Sequence, residues 1–199
     1  MTQRKFGSGI AALCLGGVLS MSGSAALAAD VKAKERLDLQ RYLGRWNEIA
    51  SIPQFFQREC VRDTVAEYSL LESGELRVEN TCTREDGGRK KAEGRARRFD
   101  SAVEAKLEVS FFKLFGDYRF WAGGDYWVIE LDPNYQWAVV GHPSRRYGWV
   151  LARKQTLPVE VIAEIIGRIK AQGYDACAFL VTPQTGGMTI RRPFCEALP

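Results

Sequence analysis

One histidine stands in this chain of 199 residues, His142. That count excludes metal sites built on two or more histidines, such as the HExxH zinc hydrolases. A Ser-His-Asp or Cys-His nucleophile would have to use His142. That residue opens a His142-Pro143-Ser144 turn, a place where histidines usually face solvent. Glu48 and Glu130 are the acids that strand parity could turn inward near the closed end. Buried acids of this kind ordinarily pair with Arg or Tyr and do no catalysis. No catalytic residue, metal ligand or cofactor is therefore assigned, and an enzyme is not expected.

Thiol chemistry is the other option, and the chain's first thirty residues bear on it. Arg4 and Lys5 precede an apolar run from Ile10 to Leu19, which leads to Ala26-Leu27-Ala28 and Ala29-Asp30. This is the pattern of a cleaved secretory signal over residues 1–29. The run is too short for a membrane span, and Gly16 and Gly17 interrupt it. Leu13 before Cys14 is not the small residue that precedes a lipidated cysteine, so a lipoprotein anchor is not expected. The mature chain would be periplasmic or secreted. Four cysteines remain in it, Cys60, Cys82, Cys177 and Cys195. In an oxidising compartment they form two disulfides, with three connectivities open. They do not form paired C-x-x-C units, which speaks against structural zinc.

The elements that must position these groups are short and alternate with period two. Thr64 to Leu70 alternates, Ser73-Gly74 turns, and Leu76 to Cys82 alternates again, which reads as a hairpin. Lys91–Phe99, Lys106–Phe111, Tyr126–Leu131, Gln136–Gly141 and Gly148–Arg153 follow, with turn residues between them. These are about eight strands, an antiparallel barrel or sandwich. Val159, Ile162, Ile165, Ile166 and Ile169 break the pattern at helical spacing. They predict one amphipathic helix over Leu157–Gln172, with Thr156 as N-cap and Gly173 at its end. No linker divides the chain, so residues 30–199 read as one domain with a tail from about 185 that Cys195 ties down.

A barrel of eight strands can hold a small ligand or be filled by its own side chains. Inward parity selects Thr64, Ala66, Tyr68 and Leu70, then Leu76, Val78, Asn80 and Cys82, then Ala92, Gly94 and Ala96. Several are small, which leaves volume. With Leu107, Val109, Phe111, Tyr126 and Trp149, these residues describe an apolar, lined cavity. Its candidate ligand-binding residues are Ala66, Tyr68, Val78, Leu107, Val109, Phe111, Tyr126 and Trp149. Phe55 and Phe56 lie in the long loop at its mouth, where they could gate entry or touch a membrane surface. Without its leader the chain has 26 Lys and Arg against 24 Asp and Glu, no case for a nucleic-acid partner. Arg89-Lys90-Lys91 and Arg95 with Arg97-Arg98 form a local basic cluster.

These residues carry a resemblance. Gly44-Arg45-Trp46 is similar to the Gly-x-Trp motif that opens lipocalins. Gly124 to Ile129 with Asp132-Pro133-Asn134-Tyr135 resembles their second signature, and Trp149 to Arg153 their third. More narrowly, the chain is similar to the group of bacterial outer-membrane lipocalins, plant temperature-induced lipocalins and apolipoprotein D, and the resemblance spans nearly all of Leu39 to Gln184. It implies an all-β fold with one helix: an eight-stranded up-and-down barrel, open at one end, with the helix packed outside. Gly44, Trp46, Asp132 and Arg153 would be structural, with Trp46 plugging the closed end and Arg153 lying across its indole.

The bacterial members bind fatty acids and lysophospholipids and are linked to envelope maintenance. The resemblance therefore implies a small apolar ligand, bound or transported, with peripheral contact to a membrane. A lipocalin-fold isomerase or esterase acting on a lipid or isoprenoid is the alternative. The apolipoprotein D pattern implies Cys60–Cys195. Cys60–Cys82 with Cys177–Cys195 competes and is slightly favoured, because both Cys60 and Cys82 fall near the open end. Hairpin register puts Cys82 near Thr64, about 13 Å from Cys60 at strand rise, so the chain before that strand must fold back.

Overall fold

The computed structural model describes residues 1, 2 and 30–198. The leader read in the sequence thus lies outside the described residues, except for its first two. The order of elements is α1 (Leu39–Tyr42), β1 (Gly44–Ser51), β2 (Arg62–Leu70), β3 (Leu76–Thr83), β4 (Arg89–Arg98) and β5 (Lys106–Ser110). A small hairpin follows, β6 (Lys113–Leu114) and β7 (Asp117–Tyr118). Then come β8 (Gly124–Leu131), β9 (Trp137–Gly141), β10 (Gly148–Ala152), α2 (Val159–Ala171) and β11 (Leu180–Val181). Strands β1 to β5 and β8 to β10 pair antiparallel in chain order, and β10 pairs back onto β1. The result is a closed eight-stranded barrel. Closure leaves no free edge among those eight strands.

Alternation gives the wall two faces. Inward side chains form one cluster that includes Trp46, Tyr68, Leu76, Val78, Leu107, Val128, Val140 and Leu151. Outward apolar residues of β1, β8, β9 and β10 form a second cluster with the helix. Ile162, Ile165, Ile166 and Ile169 are its buried stripe. The helix begins later than its sequence predicts. Pro158 occupies the cap position and offers no side-chain hydrogen bond, and Thr156 lies two residues upstream. Proline holds Leu157 extended, so the first helical residue comes after it.

Three bulges interrupt the ladder. One falls between Glu48 and Ala50 against β10, one between Arg62 and Val65 against β3, and one between Val128 and Glu130 against β9. An extra residue in one strand flips the faces beyond it. Glu130 therefore points outward, against the inward reading. It accepts hydrogen bonds from Arg168 Nη1 at 3.1 Å and Gln172 Nε2 at 2.8 Å on α2.

Near the open end β1 parts from β2. Their pairing stops at Asn47–Val65, and β11 takes the place of β2 beside Ala50 and Ser51. The C-terminal segment fills the gap. Gln184 Nε2 donates to Glu48 O at 2.7 Å and Thr64 O at 3.3 Å, so it spans the two strands. Thr185 donates to Asp63 through its N–H and its hydroxyl, both at 2.7 Å. Disulfides hold each side of this seam. Cys60 bonds Cys82 and Cys177 bonds Cys195. The 3-10 turn Phe55–Gln57 is the fold-back that brings Cys60 to Cys82. The Cys60–Cys195 pairing implied by the resemblance does not form.

The Cys177–Cys195 bridge spans 18 residues. Replacing both cysteines with serine should cost about 3 kcal/mol of stability by loop-closure entropy. Urea denaturation of the double variant checks this. An unchanged midpoint would mean that the tail is held by its other contacts alone.

Candidate ligand-binding site

The barrel's floor lies where β1 begins and β10 ends. Trp46 is fully buried there. The Arg153 guanidinium lies 3.7 Å from the centroid of its indole. Arg153 donates to Arg45 O at 2.8 Å, Arg41 O at 2.7 Å and Tyr135 O at 3.3 Å. It thus ties α1, β1 and the β8–β9 turn together. Asp132 shapes that turn by accepting the N–H groups of Asn134 and Gln136, both at 3.0 Å. Gly44 has φ +86°, and a Cβ there would lie 3.7 Å from Arg153 Nη1. A left-handed turn that delivers β1 under the guanidinium is open to glycine and strained for other residues.

The walls rise from this floor. Ala66, Tyr68, Val78, Leu107, Val109, Tyr126 and Trp149 all belong to the inner cluster. Phe111 does not. It is 43% exposed at the rim, and its ring lies opposite Gly94, where a Cβ would stand 2.9 Å away. Tyr68, Val78 and Leu107 are buried, whereas Ala66, Val109, Tyr126 and Trp149 are only partly so. An inward residue keeps exposed surface only where the interior is not filled by protein. The arrangement is a cup, packed below and open above.

Polar groups interrupt the apolar lining in two places. The first is a chain of phenols that the sequence reading did not single out. Tyr126 Oη lies 2.8 Å from Tyr42 Oη and 2.8 Å from Tyr68 Oη. Burial holds all three as neutral phenols: Tyr68 is pushed up to about 12, and Tyr42 and Tyr126 well above the ordinary value. The signal was present in sequence as inward parity at Tyr68 and Tyr126. Tyr42 comes from the short helix before β1, where no strand alternation points to it.

The second is Glu48, which does face inward but is not at the floor. Its Oε1 accepts from Ser51 Oγ at 2.8 Å and Thr182 Oγ1 at 2.6 Å, and its Oε2 from Gln57 Nε2 at 2.8 Å. The carboxyl thereby fastens the mouth loop and the C-terminal segment to β1. Burial raises its pKa, and these three donors oppose the shift without cancelling it.

The mouth is apolar and basic. Phe55, Phe56, Phe112, Leu114, Phe115 and Trp121 are exposed on the loops there. Half of the basic cluster on β4 is spent on acids of the outer face: Lys91 on Glu79, Arg95 on Glu93 and Arg97 on Glu108. Lys90 turns to the mouth, beside Glu59 and Phe56 O. His142 sits on the same rim. Its Nδ1 accepts the Ser144 N–H at 3.0 Å and lies 2.9 Å from Ser144 Oγ, while Asp125 Oδ2 is 3.7 Å from Nε2. Because Nδ1 already takes the backbone N–H, this contact closes the turn and does not set up a nucleophile.

A closed eight-stranded up-and-down barrel with an outer helix, a Trp–Arg floor and an apolar cup defines the lipocalin class of ligand binders. The model of the lipocalin-like domain matches residues 37–184, and the chain belongs to that family. It is 38% identical over 157 residues to temperature-induced lipocalin-1 of Arabidopsis thaliana, covering 78% of this chain and 84% of that one. It is 36% identical over 157 residues to the outer membrane lipoprotein Blc of Escherichia coli, with the same coverage. Apolipoprotein D of Macaca fascicularis is 33% identical over 158 residues, 76% of this chain and 79% of its own. Among solved structures, insecticyanin of Manduca sexta superposes with a TM-score of 0.63 at 19% identity, covering 84% of this chain and 95% of that one. Members of the family generally bind small hydrophobic ligands and are not enzymes.

Glu48 generates a pH prediction. Its pKa is raised in the folded state, so the folded chain holds that proton to higher pH than the unfolded chain does. Stability contributed by this group should then fall as pH rises from the ordinary carboxylate value of 4.5 to the raised one, and level off above it. Glu48→Gln keeps the shape and removes that slope. Urea melts of both proteins between about pH 4 and pH 8 check it. Parallel curves across the window would contradict the assignment.

Proposed function

We propose that the protein binds or carries a single-chain lipid, a fatty acid or lysophospholipid, in its calyx. The observation that carries this reading is the graded exposure of the inward wall, from buried Leu107 and Val78 to half-open Trp149 and Ala66. A buried methylene contributes about 0.8 kcal/mol, so an acyl chain in such a cup needs few polar contacts. The two disulfides fit an exported protein, in the periplasm or outside the cell. Kinship with an outer membrane lipoprotein supports a role in envelope maintenance or stress.

The mouth supports delivery to a membrane surface. Phe115 and Trp121 are 92% and 76% exposed, and Lys113 and Arg119 flank them in the same loop. Aromatic residues beside cations suit the headgroup layer of an anionic bilayer.

Protein purified from its host and denatured should release close to one equivalent of acyl lipid, identified by mass spectrometry. Its absence, together with no quenching of tryptophan fluorescence on titration with hexadecanoate, would sink the reading. Phe115→Asp with Trp121→Asp should reduce flotation with anionic phosphatidylglycerol vesicles at least fivefold and leave hexadecanoate affinity unchanged. His142→Ala should leave binding intact. If instead the wild type hydrolyses a lysophospholipid and His142→Ala abolishes that turnover, the protein is an enzyme.

A further inference from the structure

The phenol chain has one proton too many. Three hydroxyls carry three protons, and the two contacts that join them consume two. Whichever way the chain is oriented, one O–H is left over. Among the described residues no other acceptor meets it. The nearby Glu48 carboxyl is engaged with Ser51, Thr182 and Gln57, and the Trp46 indole has taken Tyr42 O at 2.8 Å. A donor without a partner deep in an apolar cup is costly unless something else accepts from it.

Close by is an acceptor without a donor. Asn80 pairs across to Ala66 on one side and Ala92 on the other, one inward position above the Tyr68–Val78 pair. It therefore shares the inner face with Tyr68. Its Oδ1 is buried and makes no hydrogen bond. With the spare proton on Tyr68, the spare donor and the spare acceptor stand on the same wall, a diagonal step apart. A hydroxyl group serves both, since it accepts from the phenol and donates to the amide oxygen. A carboxylate does not fit as well. It cannot donate to Asn80. The nearest cation, Arg153, lies across the outer side of Trp46 and is committed to three backbone carbonyls. A negative charge at the inner end would be buried without a counter-ion.

We infer that the calyx is built for an apolar ligand with a hydroxyl at its inner end, received by the Tyr42–Tyr126–Tyr68 chain and by Asn80. This rests on the acyl-lipid reading above and narrows it to hydroxylated acyl chains, with the acid or headgroup at the mouth.

The test is displacement of cis-parinaric acid from the delipidated protein. The competitors are hexadecanoate and a series of hydroxyhexadecanoates with the hydroxyl moved from the middle of the chain to C16. At least one hydroxy acid should bind threefold or more tighter than hexadecanoate. That preference, taken as the ratio of the two affinities within each variant, should vanish in Tyr68→Phe and in Asn80→Leu. If no hydroxy acid surpasses hexadecanoate, the inference is overturned and the lipid reading stands. It is equally overturned if the preference survives both substitutions. If cis-parinaric acid itself fails to bind, the acyl-lipid reading fails and takes the inference with it.

Discussion

The stacking of Arg153 on Trp46 is the contact on which the rest of the barrel depends. An eight-stranded barrel has two ends, and side chains must seal one of them if the interior is to be a cup. Trp46 supplies the area, and the guanidinium covers its outer face while three donors reach three separate stretches of chain. Lysine could not do this, because its single nitrogen offers neither a planar face nor a fork of donors. The contact fixes where β1 starts relative to β10, and so sets the closing register between Asn47 and Ala152. The phenol chain inherits its position from the same place, since Tyr42 lies four residues before Trp46 and its carbonyl takes the indole N–H.

The opposite end is governed by a different physics. There β1 and β2 separate, and the barrel is completed by polar bridges from the C-terminal segment. Gln184 is almost fully buried, and its amide does for two strands what a ladder of backbone bonds does elsewhere. Glu48 joins the same seam to the mouth loop through Gln57. A buried carboxyl satisfied by neutral donors alone holds geometry at some cost in solvation. The seam is therefore closed by side-chain hydrogen bonds where the β1–β2 ladder stops.

Most of this architecture was legible in the sequence, for reasons that can be named. Period-two alternation located seven of the eight barrel strands because their inner and outer faces meet such different surroundings, and the resemblance at Gly44-Arg45-Trp46 located the first. The spacing of Ile162, Ile165, Ile166 and Ile169 located the helix. What alternation cannot carry is a bulge, and so Glu130 was read as a candidate inward acid when it faces the helix. Thr156 misled because a capping residue means little when proline follows two places later. Phe111 kept its parity but ran past the end of β5, where the wall gives way to the rim. Asn80 has inward parity in the sequence, but one amide among apolar neighbours gives no sign there that it lacks a partner. The phenol chain was missed for a similar reason: its three members come from α1, β2 and β8, and only the closed barrel brings them together.

The central claim is that a ligand occupies the cup above the Trp–Arg floor. Ala66 lies on the inner wall opposite Trp46, so Ala66→Trp would fill that space without touching the rim. The decisive measurement is calorimetric titration of delipidated wild type and Ala66→Trp with hexadecanoate, each checked for an intact thermal transition. The account predicts one site in the wild type and a loss of twentyfold or more in affinity in the variant. Equal affinity in a folded Ala66→Trp protein would contradict it.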